Sequence, residues 1–231
     1  MATVQLSGPL EAGQFPATLS ARVITPGPAP RVHGYDVESD LARHYAATDL
    51  VLLSLTGELP SEPARAAFEI AWLFLAPVSV AHAGPHASVL ARLCGATPSS
   101  TIGVAAIGLA EQARALLAEH AELLRSLRSK ALALPERYQS RVSEERATVE
   151  RLRLALGACG LNVPALGQDP TRDAALLSVL FACGLRRTEQ LQAVVVLARL
   201  PCALAEGFAE RATNFAKYPI NLPAFAYEES K

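Results

Sequence analysis

The side chains of this sequence that could do acid–base or metal chemistry are few and scattered. His82 and His86 lie four residues apart and would share one helical face, the spacing at which two imidazoles can hold a metal ion or act as base and partner. No third ligand accompanies them, so two histidines alone are a weak signal and no metal site is expected. His120 falls among Leu116, Leu117, Leu123 and Leu124, on an apolar stripe where packing in a core or a dimer interface accounts for it. Asp173 opens an apolar helical pattern, where a carboxylate is favoured as a cap or by the helix dipole. Arg137, Arg141 and Arg146 punctuate an amphipathic stretch and read as a solvated face. The four cysteines, Cys94, Cys159, Cys183 and Cys202, form no C-x-x-C pair and have no histidine at ligand spacing. They suit a reduced, cytoplasmic setting better than a zinc site.

Something must position these groups, and the composition says what. The chain has 231 residues, 51% of them apolar, enough to bury a large core. Its 21 Lys and Arg nearly balance 22 Asp and Glu, so no electrostatic footprint for nucleic acid or an anionic membrane is expected. The first residues lack the charged-then-apolar pattern of a signal peptide, and no stretch reads as long enough to cross a bilayer.

Loose alternation over Thr18–Thr25, followed by the turn Thr25-Pro-Gly-Pro-Ala-Pro, predicts one short strand or hairpin. Everything after Ser39 reads as helix. Ser61 is a good N-cap with Pro63 in the first turn, and Phe68, Ala71, Trp72 and Leu75 recur at helical spacing. Ile70, Leu73 and Phe74 fill the other side, which predicts a central helix buried all round. A long helix is expected from about Thr101 past Ser126, of a length that suits a scaffold or a dimer interface. A second follows Pro135, with Val142, Val149, Leu152 and Leu156 on its apolar side, stopped by Gly157 and Gly160. Two more are expected over about Asp173–Cys183 and Glu189–Asn214, the latter bent or broken at Pro201.

Several segments also carry a resemblance. His33-Gly-Tyr-Asp-Val-Glu-Ser-Asp-Leu-Ala and Asp49-Leu-Val-Leu-Leu-Ser-Leu-Thr-Gly-Glu-Leu-Pro-Ser61 resemble the "RGYDIEDLA…EVAYLLLYGELPT" opening of the citrate synthase family. His82, Ala91-Arg-Leu-Cys-Gly95 and Ala105-Ala-Ile-Gly-Leu109 resemble its "HEQNAST…R.AGS…AAGIA" stretch without a gap. Thr171-Arg-Asp-Ala-Ala and Leu197-Ala-Arg-Leu-Pro resemble "PNVDFYSGLLL" and "FALARTPG". The resemblance covers about residues 18–227 in pieces. It implies an all-α fold with a large helical domain, about 1–128 and 188–231, and a trimmed small domain, about 129–187. It also implies a homodimer, or a heterodimer with a relative, and a coenzyme A thioester and a carboxylic acid as ligands.

Residue by residue, the resemblance places the family's proton-abstracting aspartate at Asp173 and its substrate-contacting histidine at His82. The family's enolate-binding histidine falls at Leu117, which cannot donate a hydrogen bond, and the Gly-Gly after it has become Ala118-Glu119. The second catalytic histidine is replaced near Arg137, which does not give up its proton near pH 7 but could stabilise an oxyanion. Glu144-Glu-Arg-Ala147 resembles "DPRA" and puts Arg146 at a substrate-binding arginine, while Ile220 stands where another is expected. Two readings follow. One is a degenerate member, a pseudoenzyme that binds an acyl-CoA or carboxylate or serves as a partner subunit. The other is an active acyltransferase or citryl-CoA-cleaving enzyme in which Asp173 works with His82, His120, Arg137 or Arg146. Losing one charge-stabilising donor typically costs about two to three orders of magnitude in rate, which favours the first.

Overall fold

A computed structural model describes residues 18, 20–129 and 133–211. The chain divides into two compact units, Met1–Glu58 and Leu59–Lys231. The Tyr218–Tyr227 segment with Ile220, and the last residues of the helix expected to reach Asn214, lie outside the described residues.

The first unit holds a miniature antiparallel meander, β1 (Ile24–Thr25), β2 (Arg31–Val32) and β3 (Tyr35–Asp36), one strand more than the expected hairpin. His33 and Gly34 link β2 to β3 with φ of 47° and 89°, the left-handed pair that a two-residue hairpin turn requires. A π-type turn, Val37–Leu41, follows and runs into α1 (Ala42–His44). Asp36 starts it by accepting hydrogen bonds from the backbone N–H groups of Glu38 and Ser39, which hold its carboxyl below the usual carboxylate range. In α2 (Ala47–Thr56), Asp49 reaches back to accept from the Ala46 N–H at 2.8 Å, and Gly57 (φ 84°) ends the helix.

The second unit is helical. As expected, Ser61 caps α3 (Glu62–Leu75) and Pro63 sits in its first turn. The prediction that α3 is buried all round is corrected: Phe68, Ala71 and Leu75 face inward, but Leu73 is 69% exposed. The central helix is α8 (Arg172–Ala182) instead, whose eight residues Ala174–Phe181 are all buried. It contacts α3, α6 (Ala121–Arg128), α7 (Ser143–Gly157) and α9 (Thr188–Ala209). The remaining helices, α4 (Ala83–Leu93) and α5 (Pro98–Glu119), pack on each other and on α9.

Three expectations about helices change. The single helix from Thr101 past Ser126 is two, α5 and α6, separated at His120. Pro201 does not break α9, which continues through it to Ala209. The expectation that no stretch could cross a bilayer fails on length and composition: α5 and α9, 22 residues each, are long and apolar enough. Core helices of a soluble bundle pass the same test, and these two pack against each other.

That packing depends on missing side chains. A Cβ on Gly108 would lie 2.8 Å from the Gly84 Cα, and one on Gly207 would meet the Ser88 side chain, so α4 is drawn onto α5 and α9 at backbone contact. Gly108→Ala should lower stability by about 1–3 kcal/mol, seen as a reduced urea midpoint. Gly103→Ala on the same helix, where nothing lies within 4 Å of the added carbon, should be neutral or stabilising by up to about 1 kcal/mol.

Candidate functional site

The break between α5 and α6 organises the site. An α-helix leaves its last carbonyls without intrahelical partners and concentrates partial negative charge there. At the end of α5, the Glu119 carbonyl accepts from the Tyr138 hydroxyl at 3.0 Å and from Arg137 Nη2 at 3.1 Å. Arg137 also pairs with Glu122 at 3.4 Å and lies over the Tyr138 ring, 4.9 Å from its centroid. His120 follows, buried at 5% exposure, its ring stacked on Tyr138 with centroids 5.1 Å apart. His120 Nδ1 lies 2.9 Å from the Leu116 carbonyl, which can only accept, so Nδ1 is the donor of that bond.

The segment bearing Arg137 and Tyr138 is itself tied down. Ser140 N–H donates to the Asp169 carbonyl and Thr171 N–H to the Tyr138 carbonyl, both at 2.7 Å, with Gln139 opposite Pro170 between them. Asp169 adopts φ 48°, ψ 52°, an uncommon left-handed conformation for a residue with a side chain, where the chain turns into α8. Glu145 on α7 closes the arrangement. One of its carboxylate oxygens accepts from the Ser140 hydroxyl at 2.5 Å and the other from the Arg172 N–H at 2.9 Å, one of the orphan donors at the start of α8. Thr171 supplies the N-cap, accepting from Ala174 N–H.

Asp173 stands in the first turn of α8 with its side chain 38% exposed, shared by two cavities. The first, about 220 Å³, is lined by Glu119, His120, Arg137, Tyr138, Glu145, Thr171 and Asp173. The second, about 350 Å³, is lined by His82, Gln112, Glu119, Arg172, Asp173 and Arg199 together with the apolar Pro77, Val78, Ala115 and Leu116. Arg172 is only loosely paired with Asp173, at 3.9 Å, and also donates to the Phe74 carbonyl. Arg199, like Arg92 on α4, has a buried guanidinium nitrogen, and it is the one that lies in this cavity. Its Nε is buried with no hydrogen-bond partner, and burial pulls its pKa down, a pull opposed by the charge of Asp173 and reinforced by Arg172.

Of the residues singled out in the sequence, Asp173, His82, His120 and Arg137 thus line this paired cleft. His86 is exposed on α4 and lines neither cavity. Arg146 is elsewhere: its Nε donates to the Ser140 carbonyl at 2.8 Å, and it lines a separate cavity with Glu150, Arg153 and Asp169. Leu117 is packed in the last turn of α5, 2% exposed. Sequence reasoning passed over Glu119, Tyr138, Glu145, Arg172 and Arg199. Only Arg199 left a signal, as the one charge between Leu191 and Ala205 in an otherwise apolar helix. Among the described residues no group of three or more His, Cys, Asp and Glu could hold a metal ion, and all four cysteines are free. Cys183 is buried, which pushes its thiol up to about 12 and leaves it inert as a nucleophile.

No protein-family model matches the chain, and no curated protein is significantly similar to it. Solved structures do match. The citryl-CoA lyase of Hydrogenobacter thermophilus superposes with a TM-score of 0.67 at 15% identity, over 92% of this chain and 96% of that one. ATP citrate lyase of Methanothrix soehngenii, in complex with citrate and coenzyme A, gives 0.58 at 14% identity. A variant of the Methanosaeta concilii ATP citrate lyase in complex with (3S)-citryl-CoA gives 0.59 at 13%. These two matches cover 95% and 93% of this chain but only 44% and 43% of theirs, so the chain spans less than half of the ATP citrate lyases and nearly all of the citryl-CoA lyase. The chain has the citrate synthase-like helical fold, as its motifs implied.

The Glu145 clasp predicts a specific sensitivity. Glu145→Ala strands the Arg172 N–H and leaves the Ser140 hydroxyl with only its longer bonds to Val142, and should cost about 1–3 kcal/mol, read as a lower melting temperature. Glu145→Gln keeps an acceptor and should lose less.

Proposed function

We propose that this protein binds a carboxylic acid, or its coenzyme A thioester, in the cleft around Asp173, and acts as a binding or partner subunit rather than as an efficient catalyst. The observation that carries this reading is Arg199, a partly buried guanidinium with an unpartnered Nε in a cavity that also holds Arg172 and His82. A carboxylate placed in this cavity offsets the repulsion between the two arginines, and a guanidinium fork suits it by geometry. The complexes of ATP citrate lyase with citrate and with (3S)-citryl-CoA support this ligand class on the same fold. In this reading the stretch 129–187 is the reduced small domain, and the protein works in the cytoplasm.

The deficit in catalysis is chemical. Enolate formation needs a base, a donor to the enolate oxygen and an acid for the acceptor carbonyl, held together. Asp173 can serve as the base. Leu117 donates nothing, and Arg137 keeps its proton and is engaged by Glu119 and Glu122.

A second reading has its own support. His120 lies at the α5 break and lines a cavity with Asp173. Its Nδ1 is engaged with the Leu116 carbonyl, which leaves Nε2 as the ring nitrogen available to a substrate. This is the altered enzyme that condenses an acyl-CoA or cleaves citryl-CoA.

Calorimetry with citrate and with acetyl-CoA tests the first reading: one of them should bind, and Arg199→Met should weaken it by about tenfold or more, a loss of one charge-assisted contact. Absence of binding by both overturns it. Thiol release from acetyl-CoA on adding oxaloacetate separates the two readings. Background rates in wild type and in Asp173→Asn support the binding subunit, and turnover that Asp173→Asn abolishes establishes the enzyme.

For assembly we propose a pair of like chains, or of this chain and a relative, meeting on the outer face of α5. Val104 and Ile107 are 39% and 68% exposed there, one turn from the Glu111–Arg114 ion pair. Light scattering should give a species of twice 24.4 kDa, and Ile107→Glu should return it to the monomer.

A further inference from the structure

A cavity away from the Asp173 cleft carries an inference of its own. It lies between α6, α8 and the 3-10 turn Pro164–Gln168, with a volume of about 230 Å³. Its walls are Leu123, Leu127, Leu134, Val163, Pro164 and Phe181, and among the described residues no charged one lines it. Two of the polar groups set into it are already used within the protein. Gln168 Oε1 accepts from the Leu134 N–H at 2.7 Å, and the Ser178 hydroxyl donates to the Ala174 carbonyl at 2.7 Å. Water held in a cavity needs two to four polar partners, whereas a cavity that offers only hydrocarbon favours an apolar guest. Ser126 and Asn162, the latter exposed, are the other polar residues lining it. A volume of this order accommodates roughly ten non-hydrogen atoms, judged against a 150 Å³ cavity that holds benzene.

We infer that this cavity is a binding site for a small uncharged molecule with a hydrocarbon body and at most a neutral polar head. The site is placed to act on the cleft. Leu134 and Gln168, which clasp each other at its wall, lie on the two segments that carry Tyr138 and Thr171, and these hydrogen-bond to each other a few residues on. A guest that packs against the clasp stabilises the pairing that holds Arg137 and Tyr138 beside Asp173.

The test uses the full chain and 1-octanol, followed by methyl NMR and calorimetry. Octanol should bind saturably, with shifts concentrated on the methyls of Leu123, Leu127, Leu134 and Val163. Octanoate, whose carboxylate meets no cation among the described lining residues, should bind at least tenfold more weakly. Ala182→Leu, which fills the cavity, should abolish saturable binding with an unchanged circular dichroism spectrum. Arg199→Met should bind octanol as wild type does, so failure here and failure of carboxylate binding are separate results. No saturable binding up to the solubility of octanol overturns the site. So do shifts centred on the exposed methyls of α5, octanoate binding as tightly as octanol, or a folded Ala182→Leu that binds unchanged. Should Ala182→Leu fail to fold, the location of the wild-type shifts decides.

Discussion

The carbonyl at the end of α5 is the constraint on which the rest of the site depends. A helix leaves its last carbonyls without intrahelical partners, and a side chain or a neighbouring segment that supplies a donor is thereby fixed at its end. Here Arg137 and Tyr138 supply the donors, and in doing so they are brought from a distant segment to the start of α8. The stacking of His120 on Tyr138 then follows from position, since His120 is the next residue in the chain. Had α5 run straight on into α6, the Glu119 carbonyl would have been spent within the helix. Arg137 and Tyr138 would then have had no fixed point beside Asp173.

The start of α8 presents the complementary problem, orphan donors instead of acceptors. Thr171 and Glu145 satisfy them, and Glu145 uses its second oxygen to hold Ser140. The two helix ends are thereby joined through one short strap, Pro135–Ser140. The side chains in the cleft stand on capped ends and not on free loops, which is the arrangement that keeps a site preorganised. Electrostatics add to this. The cavity shared by Arg172 and Arg199 also holds the carboxylates of Asp173 and Glu119, so charges of both signs meet in it.

Much of the fold was legible from local rules. Ser61 before Glu62-Pro63, Thr171 before α8 and the breakers around Thr97-Pro98 mark helix starts by the chemistry of their side chains. The citrate synthase-like motifs fixed the family of folds in which those helices are arranged. What periodicity misjudged was burial. It favoured α3 over α8 as the central helix, because apolar content measures what can be buried and not what is. It ran α5 through His120, since His120 keeps the register of the stripe that α6 continues. It allowed a bend or a break at Pro201, and of the two the break does not occur.

The chemical inventory of the chain was determined by sequence alone: Asp173 at the start of an apolar helix, Leu117 with no hydrogen bond to offer, and a few dispersed arginines and histidines. Which of those groups meet was decided only by tertiary structure. Arg146 and Arg137 are nine residues apart on one expected solvated face, yet one is drawn to a helix end and the other to the Ser140 carbonyl at a separate cavity. Arg199, a single charge in an apolar helix, has meaning only because α9 packs so as to bring it into the cavity with Asp173 and Arg172. The reason is physical. Capping and helix propensity act over three or four residues and can be read along the chain. The desolvation of a guanidinium, or the satisfaction of a helix's last carbonyl, depends on which segment arrives beside it, and no local pattern encodes that arrival.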